Sequence, residues 1–145
     1  MIDTPKIVPT AAAAVLSLDH TMVVLVCHTE AATNDTGSYG LPAGKIDAGE
    51  TPLQTAVREL AEETGLNLPS AQFSETGHYE ATLERSDGPR IYPMTVFATT
   101  TEQVSLAISD ETVPKWVTVA DLTTYQVLPN VERAVTDAIA TLTKS

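Results

Sequence analysis

The chain has 145 residues, of which 43% are hydrophobic, and this predicts one core and a single domain over residues 1–145. Its 19 acidic and 8 basic residues give a formal net charge of −11, so its surface repels nucleic acid and anionic lipid. We therefore expect neither nucleic acid nor membrane as a partner. A small anionic ligand would need divalent cations or a few well-placed basic side chains.

The first part of the chain is predicted to be rich in strands. Two apolar runs, residues 10–18 and 22–29, are separated by the polar residues 19–21, which favours two paired strands joined by a tight turn. Residues 31–40 are polar and contain glycine, so they are predicted as a loop. Residues 41–46 form a candidate short strand.

The cysteine and histidine residues do not form a recognisable site motif in the sequence. The single cysteine, Cys27, excludes an intramolecular disulfide and fits a reducing cytoplasm. Its apolar neighbours favour a buried strand thiol over a nucleophile. His20, His28 and His78 lack the spacing of metal ligands and are interpreted as turn or strand residues.

A helix with well-defined ends follows. Thr51 is a favourable N-cap, and Gln54 three residues later completes a capping box. Proline suits the first helical position, and Gly65 suits the left-handed residue after the last one. The sequence therefore predicts a helix over residues 52–64.

The second half alternates strands and a final helix. Residues 73–83 and 91–99 are predicted as strands around a turn at 85–89, and residues 115–119 as a further short strand. Apolar residues at helical spacing predict a closing helix over 131–142. The order of elements indicates an α/β fold with a mixed sheet flanked by helices.

Three carboxylates share one face of the first helix. Glu59, Glu62 and Glu63 stand at positions i, i+3 and i+4, rotated away from an apolar face formed by Leu53, Val57, Leu60 and Thr64. Like charges at this spacing repel, and the end of a helix disfavours acids. Such a cluster is either a solvated polar face or a site for a divalent cation. All-oxygen ligands select Mg²⁺, with Mn²⁺ as a second possibility.

Neighbouring residues favour the metal site. Arg58 lies one turn before Glu62 and can pair with it, which would leave Glu59 and Glu63 to the cation. Glu50, just before the N-cap, is positioned either to stabilise the helix start or to reach a second ion.

These positions together resemble a Nudix box, the signature of the Nudix hydrolases. The matching residues are Gly44, five residues, Glu50, seven residues, then Arg58-Glu59-Leu60-x-Glu62-Glu63-x-Gly65-Leu66. The preceding Tyr39-x-Leu41-Pro42-Ala43-Gly44 is similar to the aromatic-x-Leu-Pro-Gly-Gly segment of the family, with Ala43 in place of the first glycine. In the family, this position offers its main-chain carbonyl to the metal.

The resemblance implies roles for the residues of the box. Glu59 and Glu63 would be metal ligands, Glu62 a further ligand or a water-activating base, Arg58 the organiser of the carboxylates, and Glu50 an accessory. It also implies an α/β/α sandwich around a mixed sheet, and homodimers are common in the family. Asp110 and Glu111 are candidates for an extra ligand or base from outside the box, with an ordinary polar loop as the equal alternative.

The substrate is less well defined by the sequence. Leu128-Pro129-Asn130 resembles a segment that contacts the purine in nucleoside triphosphate pyrophosphohydrolases of this family; alternatively, Asn130 is a helix N-cap. Tyr39 is positioned either to stack on a base or to pack beneath the loop of the box. The first hypothesis is a Mg²⁺-dependent nucleoside triphosphate pyrophosphohydrolase. The alternatives are an ADP-ribose or nucleotide-sugar pyrophosphatase, and a catalytically silent, nucleotide-binding regulatory domain.

Overall fold

The computed structural model describes residues 4–29 and 36–144. Its regular elements, in chain order, are β1 (Lys6–Ile7), β2 (Thr10–Leu16), β3 (Met22–His28), β4 (Tyr39–Gly40), β5 (Ala43–Lys45), α1 (Pro52–Thr64), β6 (Ser74–Arg85), β7 (Gly88–Thr100), β8 (Thr112–Thr118) and α2 (Val131–Thr143). Short 3₁₀ helices lie at Ser70–Gln72 and Val119–Thr124. Within the described residues, no helix has the length and apolar character needed to cross a bilayer.

The strands form one mixed sheet. Its main path runs β1-β7-β2-β3-β4, while β6 pairs with β7, β5 with β2, and β8 with β3. Strand β7 is parallel to β1 and β2 and antiparallel to β6. The predicted mixed sheet is confirmed.

Strand β2 shows why helices cover both faces of this sheet. All six residues from 11 to 16 are fully buried, and successive side chains point to opposite sides. Ala12, Ala14 and Leu16 pack in one cluster with residues of α2, whereas Ala13 and Val15 pack in another with residues of α1. The α/β/α sandwich is therefore confirmed. Alanine on both faces of this strand lets each helix approach closely.

The predicted pairing of the first two strands is correct only near their turn. Leu16 pairs with Val23, but further along, β2 pairs with β5 through Ala11 and Gly44, and β3 pairs with β8. The two strands separate because β5 takes the place beside β2. This insertion brings β5 next to α1.

The ends of α1 agree with the sequence. Thr51 Oγ1 accepts from the Gln54 N–H at 3.2 Å, and Gln54 Oε1 accepts from the Thr51 N–H at 2.9 Å. Gly65 follows with φ of 80°. The predicted apolar face is only partly right, because the fully buried positions are Thr55, Ala56, Leu60 and Thr64, with Leu53 and Val57 half-buried. The small Ala56 packs against Ala11 of β2, and this rotates the buried face.

Several strand boundaries differ from expectation. Residues 31–35 of the predicted loop lie outside the described residues, and Tyr39–Gly40 form β4 instead of loop. The turn predicted at 85–89 is shorter, because Arg85 already pairs with Gly88 across the hairpin. Strand β8 begins earlier than predicted, and the two-residue β1 was not predicted.

The segment between β7 and β8 is attached to the end of α1. The Ala107 N–H donates to the Thr64 carbonyl at 2.7 Å, and Thr112 Oγ1 donates to the Glu63 carbonyl at 3.5 Å. A Cβ at Gly65 would lie 2.8 Å from the Ala107 Cβ. Glycine is therefore required here for its backbone angle and for this close approach.

We predict that Gly65→Ala destabilises the fold more than Gly49→Ala. Both glycines have positive φ, 80° and 84°, but nothing lies within 4 Å of a Cβ at Gly49. We expect a loss in unfolding free energy of about 1 to 2 kcal/mol at Gly49 and about 2 to 4 kcal/mol at Gly65, measured by urea denaturation. The double variant Gly65→Ala/Ala107→Gly should return to the Gly49→Ala value. Equal losses in the two single variants would contradict the contact.

Candidate active site

Arg58 is the centre of an acidic network on α1. Its Nε and Nη2 donate to the two oxygens of Glu50 at 2.8 and 2.9 Å, which is a bidentate arrangement. Its Nη1 donates to Glu59 at 2.9 Å and lies 3.3 Å from Glu62, while Nη2 is 3.2 Å from Asp47. One guanidinium thus connects the loop before α1 with two carboxylates of the helix.

The expected partner of Arg58 is not its main one. The contact to Glu62 is present, but it is longer than the others, and the Glu62 side chain is 57% exposed. The bidentate pair with Glu50 is shorter because loop residues 47–50 bring that carboxylate into the plane of the guanidinium. Arg58 also holds Glu59, which the sequence analysis had left to the metal.

Glu50 is fixed at the start of the helix. Besides Arg58, it accepts from Thr55 Oγ1 at 2.8 Å and from the Asp47 N–H at 3.2 Å. The hydrogen bonds from Arg58 and Thr55 lower the pKa of Glu50 to about 2. Of the two roles considered for it, this arrangement is that of a carboxylate that stabilises the helix start.

Glu63 has a different environment. Its Oε1 accepts from the Ala43 N–H at 2.7 Å, and no ion pair joins it to a basic side chain among the described residues. Burial, together with the nearby carboxylates of Glu59, Glu62 and Glu111, raises the pKa of Glu63 to about 8, although the hydrogen bond from the Ala43 N–H acts in the opposite direction. Glu63 is thus a largely buried acid without a compensating positive charge.

Strand β5 lies directly against these carboxylates. A Cβ added to Gly44 would overlap the Glu59 carboxylate, so any other residue here would force that side chain to turn away. Glu59 is partly buried here, and this burial raises its pKa despite the opposing hydrogen bond from Arg58. The backbone of β5 therefore contacts both Glu59 and Glu63.

The carboxylates of α1 have the chemistry to bind a divalent cation, but as they stand their oxygens are not arranged around one. Across residues 4–29 and 36–144, no three acidic, histidine or cysteine side chains are close enough to hold an ion as they stand. The reason is visible in the contacts, since Arg58 takes oxygens of Glu59 and Glu62 while Ala43 takes one of Glu63. All available donors are oxygens, and the Glu63 carboxyl group has no basic partner among the described residues. This set fits a hard cation such as Mg²⁺ once the carboxylates turn toward it.

A cavity of about 350 Å³ opens beside β5. One part of its wall comes from β5 and its neighbours, with Ala43, Gly44, Lys45, His28 and Glu111. The other part comes from β6, β7 and the segment before α2, with Ala81, Leu83, Arg85, Tyr92, Met94, Leu128, Pro129 and Asn130. The first part is polar and adjoins the α1 carboxylates, and the second is mostly apolar.

The structure distinguishes between Asp110 and Glu111, the two candidates for an extra ligand or base outside the box. Glu111 lines the cavity and lies close enough to Glu63 to raise its pKa. Asp110 does not line the cavity, and its carbonyl accepts from Thr29 Oγ1 at 2.7 Å. Glu111 is therefore the candidate that the fold brings to the site.

Asn130 precedes α2 but does not cap it with its side chain. Its φ is 71°, and Nδ2 donates to the Glu80 carbonyl at 3.1 Å instead of the side chain accepting from the helix. Asn130 thus occupies the predicted N-cap position, and its carbonyl accepts from the Ala134 N–H at 2.8 Å, but its side chain makes no capping bond because the left-handed backbone turns the amide toward β6. Asn130 lines the cavity, and its Oδ1 has no hydrogen-bond partner among the described residues.

Tyr39 belongs to the core and not to the cavity wall. Its ring lies edge-on to Tyr125 at 5.0 Å between centroids, and it packs against the cluster beneath α2. In this arrangement the Tyr39 ring packs on the core and does not line the cavity, and its role in ligand binding stays a prediction. Cys27 is a half-buried strand thiol on β3.

The sequence analysis missed the wall formed by the β6–β7 hairpin. Leu83, Arg85 and Tyr92 all line the cavity, and so does His28, which had been interpreted only as a strand residue. The period-two alternation of β6 contained a signal for Leu83 and Arg85. It could not be used without the register that places Tyr92 opposite Ala81.

Comparisons with known proteins agree with this geometry. The family model of the NUDIX domain matches residues 8–138. A Mycobacterium tuberculosis protein named "Putative 8-oxo-dGTP diphosphatase 3" is 49% identical over 58 residues, which is 40% of this chain and 27% of that protein. A Bacillus subtilis protein named "Putative 8-oxo-dGTP diphosphatase" is 33% identical over 104 residues, 71% of this chain and 64% of that protein. This chain thus spans about a quarter of the length of the first relative.

A solved structure shows the same fold. The crystal structure of a MutT NUDIX hydrolase from Burkholderia pseudomallei superimposes with a TM-score of 0.75 at 18% identity, covering 91% of this chain and 98% of the other.

We predict that the metal-free protein loses stability as the pH rises from about 5 to about 8. In the folded state the pKa of Glu63 is about 8, so the side chain keeps its proton in this window. In the unfolded chain the pKa of Glu63 is 4.5, so the proton has been lost. The folded state thus binds more protons, and its advantage disappears as the pH rises. Urea unfolding in the presence of a chelator, followed by the fluorescence of Trp116, measures the slope.

The matched variant for this measurement is Glu63→Gln. It cannot titrate, so it should show a clearly smaller slope than the parent and a higher midpoint at pH 8. Identical slopes in the two proteins would mean that Glu63 is not the buried acid described above.

Proposed function

Since the chain belongs to the NUDIX family, we propose that it is a divalent-cation-dependent hydrolase that converts a nucleoside triphosphate to the monophosphate and pyrophosphate. One observation supports this most strongly. The 350 Å³ cavity joins a wall beside the carboxylates of α1, among them the buried Glu63, to a mostly apolar wall that bears the amide of Asn130. A phosphate chain suits the first wall, and a nucleoside suits the second.

The residues that would hold the cation are Glu59 and Glu63, with Glu62 as a further ligand and the carbonyl of Ala43 as a main-chain donor. A bound Mg²⁺ would neutralise phosphate charge and lower the pKa of a bound water. Arg58 keeps Glu50 at the helix start through its bidentate pair, so the framework of the site persists when Glu59 and Glu62 turn. Ala43 and Gly44 keep the backbone against α1.

The reaction needs a group that takes a proton from water. As water attacks phosphorus, a new P–O bond forms, the bridging P–O bond breaks, and pyrophosphate leaves with the bridging oxygen. Of the three carboxylates near Glu63, Glu59 is assigned to the cation, and Glu62 or Glu111 would accept this proton. Lys45 lines the same wall and supplies a positive charge for the anionic chain.

The other wall supports a nucleoside ligand. Asn130 offers its Oδ1 as an acceptor, and the side chains of Leu128, Leu83 and Met94 provide an apolar surface for a base. The names of the M. tuberculosis and B. subtilis relatives also support a nucleoside triphosphate as substrate. A silent nucleotide-binding domain is less well supported, because binding alone does not need a buried, unpaired acid.

A substrate panel tests the proposal. Phosphate and pyrophosphate release should be measured with Mg²⁺ on nucleoside triphosphates, ADP-ribose and nucleotide sugars. We expect pyrophosphate from triphosphates and none after chelation. Release only from ADP-ribose or a nucleotide sugar would transfer the assignment to that class, and tight binding without any release would favour the silent domain.

We predict that Glu63→Gln lowers turnover by at least about a hundredfold while the fold remains intact, because the change removes charge at the cation and preserves shape. The control is Glu102→Gln, an exposed carboxylate on the segment after β7 that does not line the cavity. It should retain the parent rate. Near-parental turnover by Glu63→Gln, with a normal unfolding midpoint, would refute the role of Glu63.

A further inference from the structure

We propose that a groove beside Trp116, at the opposite end of β2 from the cavity, docks a short segment of another protein in which a bulky apolar residue stands next to lysine or arginine. This inference does not depend on the proposed function. It concerns a surface that takes no part in the hydrolysis described above.

The groove lies between the β2–β3 turn and the segment that follows β7, and its volume is about 530 Å³. It begins at Ser17, directly after β2, whereas the cavity beside β5 is lined by Val8 and Thr10 at the start of that strand. A strand of seven residues spans roughly 20 Å, and the two depressions share no lining residue. The groove is therefore a separate surface.

Hydrogen bonds hold the walls of the groove in place. The Thr101 N–H donates to the Leu16 carbonyl at 3.0 Å, which ties the segment after β7 to the end of β2. Trp116 Nε1 on β8 donates to the Val104 carbonyl at 3.1 Å, which ties the same segment to the floor of the groove. Because these bonds are made within the chain, the groove is already formed before anything binds to it.

The groove gathers apolar side chains that are exposed to solvent. Leu18 is 57% exposed and Val104 is 75% exposed, and both line the groove together with the half-buried Met22 and Trp116. Single exposed apolar residues are common, but several that share one depression mark an interaction surface. Methionine and aromatic residues are also enriched at the centres of protein interfaces. The apolar part of the groove therefore suits a bulky apolar side chain.

The charges of the groove indicate what accompanies that side chain. Asp19 and Glu102 line it, and no lysine, arginine or histidine from residues 4–29 or 36–144 does so. Hydrogen bonds from the Thr21 side chain, the Thr21 N–H and the Ser17 side chain lower the pKa of Asp19. The carboxylate of Asp19 is thus held in place and charged at neutral pH. Opposite charges beside an apolar centre favour a segment that carries lysine or arginine.

A second copy of this chain is the competing occupant. Two grooves placed face to face would bring Asp19 and Glu102 of both copies together, and each copy has a formal net charge of −11. Like charges at an interface oppose association. The same excess of negative charge attracts a basic segment, so the charge distribution favours a different protein.

The experiment measures binding of four probes to the full chain by calorimetry, at about 50 mM and about 500 mM salt. The first probe is the end-capped peptide Lys-Leu-Lys-Phe-Lys. The second, Glu-Leu-Glu-Phe-Glu, reverses its charge, and the third, Lys-Ser-Lys-Ser-Lys, lacks its apolar side chains. The fourth is butylammonium, a free organic cation. We expect the first probe to bind at least about tenfold more tightly than the others, and to weaken as the salt concentration rises.

Two pairs of variants locate the binding. Val104→Ser and Glu102→Gln should each weaken the first peptide by at least about fivefold, since they remove apolar surface and charge from the groove and leave the Val104 carbonyl in place. The controls are Ile108→Ser, which changes a similarly exposed apolar residue of the same segment, and Glu84→Gln on β6. Neither control residue lines the groove, so binding should stay within about twofold of the parent.

The outcomes that overturn the proposal are specific. Absence of binding by the first peptide, equal binding of the charge-reversed peptide, or equal losses in the groove and control variants would refute the docking surface. Butylammonium binding as tightly as the peptide would indicate a site for a free cation instead of a protein segment. A dimer in sedimentation that Val104→Ser dissociates would identify a second copy as the occupant. Turnover should be unchanged in both groove variants, so failure of the proposed hydrolysis would leave this test intact.

Discussion

The site depends on a shortage of positive charge. In a chain with 8 basic residues against 19 acidic ones, a single guanidinium, that of Arg58, contacts four carboxylates around the start and middle of α1. Its strongest contact fixes Glu50, and with it the loop that precedes the helix. Arg58 makes no contact with Glu63, so the network leaves one buried carboxyl group, with a raised pKa, without a basic partner behind β5. Glu63 therefore belongs both to the acidic network and to the proposed cation site.

The sandwich fold makes this arrangement of charges possible, because it brings the backbone of β5 close to the carboxylates of α1. Alanines on both faces of β2 let α1 and α2 approach the sheet, and β5 inserts beside β2 in the space where β3 has separated. Gly44 then passes so close to α1 that any side chain there would displace the Glu59 carboxylate. The desolvation that raises the pKa values of Glu59 and Glu63 is therefore a result of packing throughout this layer.

Local signals predicted the fold and the acidic helix well. The bounds of α1 follow from a cap, a proline and a glycine that act within a few residues, and the spacing of Glu59, Glu62 and Glu63 follows from helical geometry. Interactions between distant segments were not accessible in the same way. The separation of β2 from β3 depends on the insertion of β5, and the turning of Asn130 toward β6 depends on Glu80, 50 positions away. The register that sets Tyr92 opposite Ala81 is local to one hairpin, but it depends on the exact length of the turn, which was predicted too long.

The left-handed backbone conformation at Asn130 limits which residues can replace it. Glycine would adopt the same angles with less strain but would carry no amide, while glutamine would keep an amide on a backbone that it rarely adopts. Asparagine is the residue that meets both demands, since its short side chain tolerates this conformation. An evolving lineage that changed its ligand at this wall would therefore find substitutions of its neighbours, such as Leu128 or Tyr92, more accessible than replacement of Asn130 itself.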